Sequence, residues 1–215
     1  MKDAWLIGCE ESGTTVAAFR RHGIKAFSCD IEPTRGDAAW HIKGDLLALL
    51  RDDPLWLGGI MHPECTYVAN SGSKHLYVGG RKENGPCSER WERMVTAAGF
   101  IGDVIALTAG FPCAYENPIM LGVAQMLSGW SADQTIHPWQ FGHREMKATC
   151  FKLHRLPPLV PTQIVGPPPH AGSPERKAWE KCFRAAPGPN RRRDRSKTLE
   201  GYADAYARQW GLRCA

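Results

Sequence analysis

The sequence has no uninterrupted apolar run that approaches the ~20 residues a membrane-spanning helix needs, which argues against a membrane protein. The segment from Met1 to Gly8 also lacks the apolar core and cleavage site of a secretory signal, and it is typical of a first buried strand. We therefore expect a cytoplasmic protein with no membrane partner.

No CxxC pair occurs among the eight cysteines, which are spread through the whole chain. Because an export signal is also absent, we do not expect a disulfide framework. His62-x2-Cys65 and Cys150-x3-His154 come nearest to the spacing of metal ligands, but each would need partners from elsewhere in the chain. We predict no metal site.

The fold class follows from the alternation of short apolar runs with helical stretches. The predicted strands are 4–8, 25–29, 39–42, 55–61, 111–115, 135–138 and 148–153, and the predicted helices are 12–22, 46–50, 89–109, 119–127 and 198–210. This order predicts an α/β fold with a largely parallel sheet, in a single domain of 215 residues. Residues 69–88 predict a long mobile loop, and the prolines of residues 156–190 predict an irregular insertion with one short helix near 175–183.

Glycines and acids follow the first three predicted strands, at the edge where ligands bind in open α/β sheets. The loop from Gly8 to Gly13 allows a backbone to approach a ligand closely. Asp30 ends the second strand, where an acid typically binds a ribose diol, and Asp45 follows the third, where it could accept from an adenine amino group. The GxGxxG pattern of dinucleotide sites is absent, so S-adenosylmethionine is the favoured adenosine-containing cofactor.

Cys65 is the strongest candidate for catalysis. It lies between Pro63 and Gly72 on the loop that follows the fourth strand, where a sulfur can leave the core and attack a substrate. Glu116 and Asn117 follow the fifth strand. A carboxylic acid beside the thiol could protonate or hydrogen-bond a ring that the sulfur attacks, so the pair suggests covalent chemistry on a pyrimidine.

These residues resemble those of the DNA cytosine-5 methyltransferase family over roughly residues 4–153. The catalytic loop of the family reads Pro-Pro-Cys-Gln-x-Phe-Ser-x-x-Gly, and residues 63–72 keep its Pro, Cys and Gly at the same offsets. The Glu-Asn-Val of the family matches Glu116-Asn117-Pro118, and its acids after the second and third strands match Asp30 and Asp45. The resemblance implies a Rossmann-like, S-adenosylmethionine-dependent methyltransferase domain. Its parts would be a cofactor half, a catalytic half, a Pro-rich insertion and a basic segment with the closing helix, at 1–60, 61–155, 156–190 and 191–215.

The chain also departs from the family. Glu64 replaces the second proline and Thr66 the glutamine of the catalytic loop. The Gln-x-Arg-x-Arg strand of the family has only a loose counterpart, in which Arg144 or Lys147 is the candidate cation for the base O2 or a phosphate. The large target-recognition domain is missing, and residues 156–190 occupy its place. This compact form is similar to methylases of phages and prophages, which implies a bacterial or phage-infected host cell.

The resemblance implies a mechanism and a set of site residues. The Cys65 thiolate adds to C6 of cytosine, Glu116 hydrogen-bonds N3 and the amino group, and C5 takes the methyl group. A base in duplex DNA must first be flipped out of the stack. The implied catalytic residues are Cys65, Glu116, Asn117, Arg144 and Lys147. The implied cofactor-binding residues are Gly8, Cys9, Glu10, Ser12, Gly13, Asp30, Ile31, Asp45 and Pro63.

Five cations occur within residues 191–197, either as a solvated loop or as a stripe that contacts phosphates. The predicted partner is DNA, double- or single-stranded. The candidate nucleic-acid-binding residues are Ser71, Lys74, Arg191, Arg192, Arg193 and Arg195. Two alternatives stay open. One is a pyrimidine C5 methyltransferase that acts on a free nucleotide, single-stranded DNA or RNA, and the other is a non-catalytic nucleic-acid-binding protein on a methyltransferase scaffold.

Overall fold

The computed structural model of the protein describes residues 3–184, 186, 188 and 195–213. Within these residues, seven strands form one sheet. They are β1 (Trp5–Gly8), β2 (Ala26–Asp30), β3 (His41–Lys43), β4 (Gly58–Met61), β5 (Cys113–Asn117), β6 (Gln134–Ile136) and β7 (Thr149–His154). Their order across the sheet is β3-β2-β1-β4-β5-β7-β6.

The sheet is mostly parallel. β1 to β5 run in one direction, whereas β7 is antiparallel to both of its neighbours, β5 and β6. This confirms the predicted α/β fold class. The order β3-β2-β1-β4-β5 is also found in Rossmann-like sheets, so the architecture is compatible with that class.

Helices cover both faces of the sheet. They are α1 (Thr14–Arg21), α2 (Leu46–Asp52), α3 (Ser88–Leu107), α4 (Gly122–Ser128), α5 (Pro174–Trp179), α6 (Lys181–Arg184) and α7 (Glu200–Gln209). Side chains alternate between the faces along each strand. In β1, Leu6 belongs to a core cluster with residues of α2, α3 and α4, whereas Trp5 and Ile7 belong to a second cluster with residues of α1 and α7.

Helix α7 closes the second core cluster, as its periodicity predicts. Tyr202, Tyr206 and Trp210 are fully or almost fully buried. The Tyr206 and Trp210 rings stack on each other at 5.2 Å, and both meet Phe151 of β7 edge-on. The end of the chain is thereby packed on the reversed strand of the sheet.

Residues 69–88 are more structured than their composition predicts. They contain three 3-10 helices, Asn70–Leu76, Val78–Gly80 and Lys82–Asn84. The Leu76 side chain is buried, and its carbonyl oxygen accepts from the backbone N–H of Cys87 at 2.9 Å and from Trp91 Nε1 at 3.0 Å. These contacts hold the segment on α3, and a composition rich in Gly, Ser, Asn and Lys gives no sign of them.

Helix α4 begins at Gly122, three residues later than predicted, because the preceding chain pairs with the Cys65 loop. The backbone of Met120 forms an isolated bridge with that of Ala69, and Leu121 N donates to Val68 O at 2.8 Å. The segment after β5 therefore supports the loop after β4.

The remaining differences concern short elements. The predicted third strand is a 3-10 helix, Ala38–Trp40, followed by the three residues of β3. Residues 155–173 contain no helix or strand, and the short helix predicted near 175–183 is two helices, α5 and α6. No helix in the described ranges is long and apolar enough to cross a membrane.

Candidate functional site

Strands β4 and β5 bring their last residues together at the edge of the sheet where the parallel strands end, here called the carboxyl edge. Met61 pairs with Tyr115, so the next residues along the two strands, His62 and Glu116, are neighbours. His62 Nδ1 lies 2.6 Å from Glu116 Oε2. The two side chains are only 12% and 14% exposed, so this ion pair is largely shielded from solvent.

The two partners shift each other's pKa in opposite directions. Burial by itself would lower the pKa of His62, but the charge and hydrogen bond of Glu116, together with the charge of Glu10, outweigh it and raise that pKa. Burial would raise the pKa of Glu116, but His62 and then Lys147 outweigh it and lower that pKa. The pair therefore favours an imidazolium facing a carboxylate.

Cys65 is half-buried on a loop with a defined backbone. Its carbonyl oxygen accepts from the N–H groups of Val68 and Ala69, and the Arg90 guanidinium donates to the carbonyl of Thr66. Burial raises the pKa of the Cys65 thiol, and the charges of Glu116 and Glu64 raise it further. Lys147 acts in the opposite direction, so this thiol lies within electrostatic reach of Lys147 and Glu116.

Lys147 reaches the carboxyl edge because β7 is reversed. The residues that precede Thr149, the first residue of β7, lie at the edge where the parallel strands end. Lys147 Nζ donates to the carbonyl of Lys197 at 3.3 Å. Arg144, the other predicted cation, is exposed and makes no hydrogen bond or ion pair with the described residues. Lys147 is thus the cation that the structure groups with Cys65 and Glu116.

Asn117, the last residue of β5, is only 2% exposed. Neither its amide oxygen nor its amide nitrogen has a hydrogen-bond partner among the residues that the structure describes. Buried amides are nearly always paired, so both ends of this amide remain available for a hydrogen bond at the carboxyl edge.

The loop after β1 is built by its own side chains. Glu10 is 4% exposed, and its Oε1 accepts from Ser12 Oγ at 2.7 Å and from Thr15 N of α1 at 3.0 Å. Its Oε2 is buried and has no partner within the described part of the chain. Gly13 has a φ of 71°, and a Cβ there would lie 2.8 Å from the Cα of Gly36, so the position requires glycine.

Gly8 also has a packing role, because protein atoms fill the space where its side chain would lie. A Cβ at Gly8 would lie 2.5 Å from Met61 Sδ and 2.8 Å from a methyl group of Leu46. The missing side chain lets β1, β4 and α2 pack together.

Cys9 lies among acids from the ends of several strands. It has a φ of 55°, which is uncommon for a residue other than glycine. Burial raises the pKa of its thiol strongly, and so do the negative charges of Asp30, Asp45 and Glu64. The predicted cofactor residues Asp30 and Asp45 are therefore brought to one place, beside Cys9 and the loop that carries Cys65.

Asp30 and Asp45 each use one carboxylate oxygen locally. Asp30 Oδ1 accepts from Glu32 N at 2.9 Å, and Asp45 Oδ1 caps α2 by accepting from Ala48 N at 2.8 Å. The second oxygen of each makes no hydrogen bond within the described residues and remains available for a ligand. Ile31, next to Asp30, is 69% exposed, which provides an apolar surface at the same position. Pro63 is buried.

A cleft of about 350 Å³ lies beside the Cys65 loop. It is lined by Tyr67, His75, Cys87, Glu89, Arg90 and Arg93. The guanidinium groups of Arg90 and Arg93 lie 4.4 and 5.7 Å from the centre of the Tyr67 ring. Ser71 and Lys74, predicted to bind nucleic acid, are exposed on the adjacent 3-10 helix Asn70–Leu76. The sequence analysis missed the two arginines, which lie near the start of α3 and have no motif.

Of the basic cluster, Arg191, Arg192 and Arg193 lie outside the described residues. Arg195 is half-buried, and its Nε has no hydrogen-bond partner within residues 3–184, 186, 188 and 195–213.

No group of three or more His, Cys, Asp or Glu side chains in those ranges could hold a metal ion.

The sequence analysis also missed the role of His62. The residue was considered only for its spacing from Cys65, whereas its observed partner, Glu116, lies 54 residues further along the chain. The alignment of β4 with β5 is the signal that could have revealed the His62–Glu116 pair.

No protein-family model matches this chain, and a search of the curated proteins finds no match either.

Proposed function

We propose that the protein is an S-adenosylmethionine-dependent methyltransferase that modifies C5 of cytosine in DNA through a covalent bond between Cys65 and C6. The observation that carries this proposal is the grouping of Cys65, Glu116 and Lys147 at the carboxyl edge, where the thiol is under the electrostatic influence of both charged groups. A nucleophile, an acid and a cation on one side of a sheet match the needs of addition to an aromatic ring.

The acids around Cys9 support the proposed cofactor. The charges of Asp30, Asp45 and Glu64 all act on this thiol. Three carboxylates would repel the negatively charged pyrophosphate of a dinucleotide. They attract S-adenosylmethionine, because its sulfonium and ammonium groups give it a net positive charge despite its one carboxylate. The available oxygens of Asp30 and Asp45 suit a ribose diol and an adenine amino group, and Ile31 offers an apolar contact for the base.

In the proposed mechanism, the Cys65 thiolate forms a bond to C6 of a flipped-out cytosine. Lys147 favours the thiolate, because it lowers the pKa that burial has raised. Glu116 hydrogen-bonds N3 and the amino group as negative charge develops on the ring. The bound cofactor supplies an electrophilic methyl group to C5. Loss of the C5 proton and expulsion of Cys65 then release the product.

The test is methyl transfer from radiolabelled S-adenosylmethionine to duplex DNA, single-stranded DNA, RNA and dCMP. Replacing Cys65 by alanine should reduce transfer by about 10³-fold or more, because the covalent route is lost. Cys182→Ala is the matched control, since Cys182 is also a half-buried free cysteine, and its thiol contacts the backbone carbonyl of Arg195 and not Cys65 or Glu116. Duplex DNA with 5-fluorocytosine should form a denaturant-stable adduct with the wild type and the control but not with Cys65→Ala. Release of Cys65 requires loss of a proton from C5, and in this base fluorine occupies the position of that proton.

Full transfer by Cys65→Ala would refute the covalent mechanism. Transfer to dCMP, single strands or RNA but not to duplex DNA would assign a different pyrimidine substrate. Cofactor binding without transfer to any substrate would identify a non-catalytic scaffold. Mass spectrometry of host DNA after expression would report the base, the carbon position and the sequence context together.

A further inference from the structure

The His62–Glu116 pair joins the residue that starts the Cys65 loop to the proposed acid. His62 directly follows β4 and precedes Pro63, whereas Glu116 lies in β5. Their 2.6 Å contact is formed between two largely buried side chains, so solvent competes little for either partner. The contact uses Oε2 of Glu116 and leaves Oε1 without a hydrogen bond to the described residues.

Other charged groups face His62 from the elements around it. Glu10, from the loop after β1, and Glu116 both raise the pKa of His62, whereas Lys147, from the segment before β7, acts against them. Nε2 of His62 and Oε2 of Glu10 are both buried without a hydrogen-bond partner in the described chain. An imidazolium between two carboxylates is therefore the favoured form.

Such a pair can hold one proton in two places without a change in net charge. With the proton on Nδ1 it is an imidazolium and a carboxylate, and with the proton on Oε2 it is an imidazole and a carboxylic acid. The edge of cytosine offers an acceptor at N3 and a donor at the amino group. A carboxylate can only accept, so the N3 position requires the acid form.

We infer that His62 is a positioning residue of this site, which orients Glu116 through Oε2 and supplies the proton that Glu116 passes to N3. This rests on the proposed function. As the sulfur–C6 bond forms, the C5–C6 π pair moves to C4–C5 and the C4–N3 pair moves to N3. N3 takes a proton from the Glu116 carboxyl group, which takes one from Nδ1 of His62. When the C5 proton passes to solvent and the sulfur–C6 bond breaks, the electron pair of the C5–H bond forms the C5–C6 π bond and the N3 proton returns by the same route.

The first experiment measures the titration of the imidazole rings by long-range ¹H–¹⁵N NMR in the wild type and in Glu116→Gln. The pKa of His62 should exceed its ordinary value of 6.5 in the wild type and should fall in the variant, because an amide carries no charge. His143, whose pKa burial lowers and whose charged neighbours are Glu145, Lys181 and Glu200, is the internal control and should not respond to the loss of the Glu116 charge. A His62 titration that is the same in both proteins would overturn the inference, whatever the activity.

The second experiment measures methyl transfer to duplex DNA by His62→Gln, whose amide can donate to Glu116 but cannot give up a proton. We expect kcat to fall about 100-fold with little change in KM for DNA or for the cofactor. The wild-type rate should decline as the pH rises through the raised pKa of His62, since the imidazolium is lost there, and His62→Gln should lack this decline. The matched control, His22→Gln, alters a histidine that pairs with Asp204 at 2.6 Å, and it should keep both the rate and the pH profile.

The outcomes separate this inference from the proposed function. If the wild type transfers methyl groups and His62→Gln is equally fast with the same pH profile, the role of His62 is refuted and the methyltransferase stands. If the wild type transfers no methyl group to any of the four substrates, the proposed function fails and the proton route fails with it. The NMR titration compares the wild type with Glu116→Gln and does not need His62→Gln, so it decides the coupling of the pair even if His62→Gln does not fold.

Discussion

The two sides of the carboxyl edge are organised differently. On the side of β1, β2 and β3, three acids each accept from a backbone N–H close to them in sequence: Glu10 from Thr15 N, Asp30 from Glu32 N and Asp45 from Ala48 N. On the side of β4, β5 and β7, the side chains act on one another across long stretches of sequence. His62 pairs with Glu116, and Lys147 influences both of them and Cys65.

This difference shows how one residue can be both structural and functional. A carboxylate has two oxygens, so an acid that caps a helix or a turn with one oxygen can still offer the other to a ligand. The cap fixes the orientation of the acid. In the proposed enzyme, changes on the β1–β3 side should affect cofactor affinity, and changes on the β4–β7 side should affect the rate of the chemical step.

The largest effect is expected from Glu116→Gln, compared with Asp30→Asn on the other side. Glu116→Gln should lower the single-turnover rate of methyl transfer by about 10³-fold, because the ring loses its acid, while the calorimetric Kd for S-adenosylmethionine stays the same. Asp30→Asn keeps the Glu32 N contact and should raise that Kd about 10-fold, with little change in the rate at saturation. A Glu116→Gln protein with a weaker Kd for S-adenosylmethionine and an unchanged rate at saturation would contradict the assignment of the chemical step to the β4–β7 side.

A smaller effect is expected from Lys147→Gln, with Arg144→Gln as its control. Without the lysine charge the pKa of Cys65 should rise, so the rate of adduct formation with 5-fluorocytosine DNA should fall about 10-fold at neutral pH. The loss should shrink as the pH increases, because more thiolate forms. Arg144 is exposed and does not contact the site in the described structure, so its loss should change the rate little. Equal effects of the two variants at every pH would contradict the role of Lys147.

The smallest effect is expected at Asp45, where two substitutions separate the cap from the ligand contact. Asp45→Ala should lower the free energy of unfolding by about 1 kcal/mol, because Ala48 N loses its partner at the start of α2. Asp45→Asn keeps an oxygen for the cap and should unfold like the wild type in a urea titration. Both should weaken cofactor binding. If Asp45→Asn binds the cofactor normally, Asp45 is only a helix cap.

Sequence patterns predicted the frame of the molecule well, because the strands of the sheet core are short apolar runs. Gly8 and Asp30 lie at the ends of β1 and β2 as predicted, whereas Glu116 and Asn117, predicted to follow the fifth strand, are the last two residues of β5. These positions depend on local hydrophobicity and on breaks in it. The same patterns predicted an irregular loop over residues 69–88, because the burial of Leu76 against α3 depends on residues remote in sequence.

The candidate site was only partly predictable for the same reason. Cys65 and Glu116 carry a motif, whereas His62 gains its partner only through the register that sets Met61 opposite Tyr115. Gly8 shows a second limit of local patterns. The sequence predicts that this glycine lets a ligand approach, but it does not reveal that a side chain here would meet Met61, which comes from another strand.

The reversed direction of β7 has a consequence for how this molecule can evolve. Cys150 is opposite Asn117 and Phe151 is opposite Glu116, and these partners align the strand whatever precedes it. Lys147 lies upstream of Thr149, so its side chain can be exchanged without a change in this strand pairing. The cation of the site is thereby independent of the sheet register, whereas the acid, Glu116, is part of it.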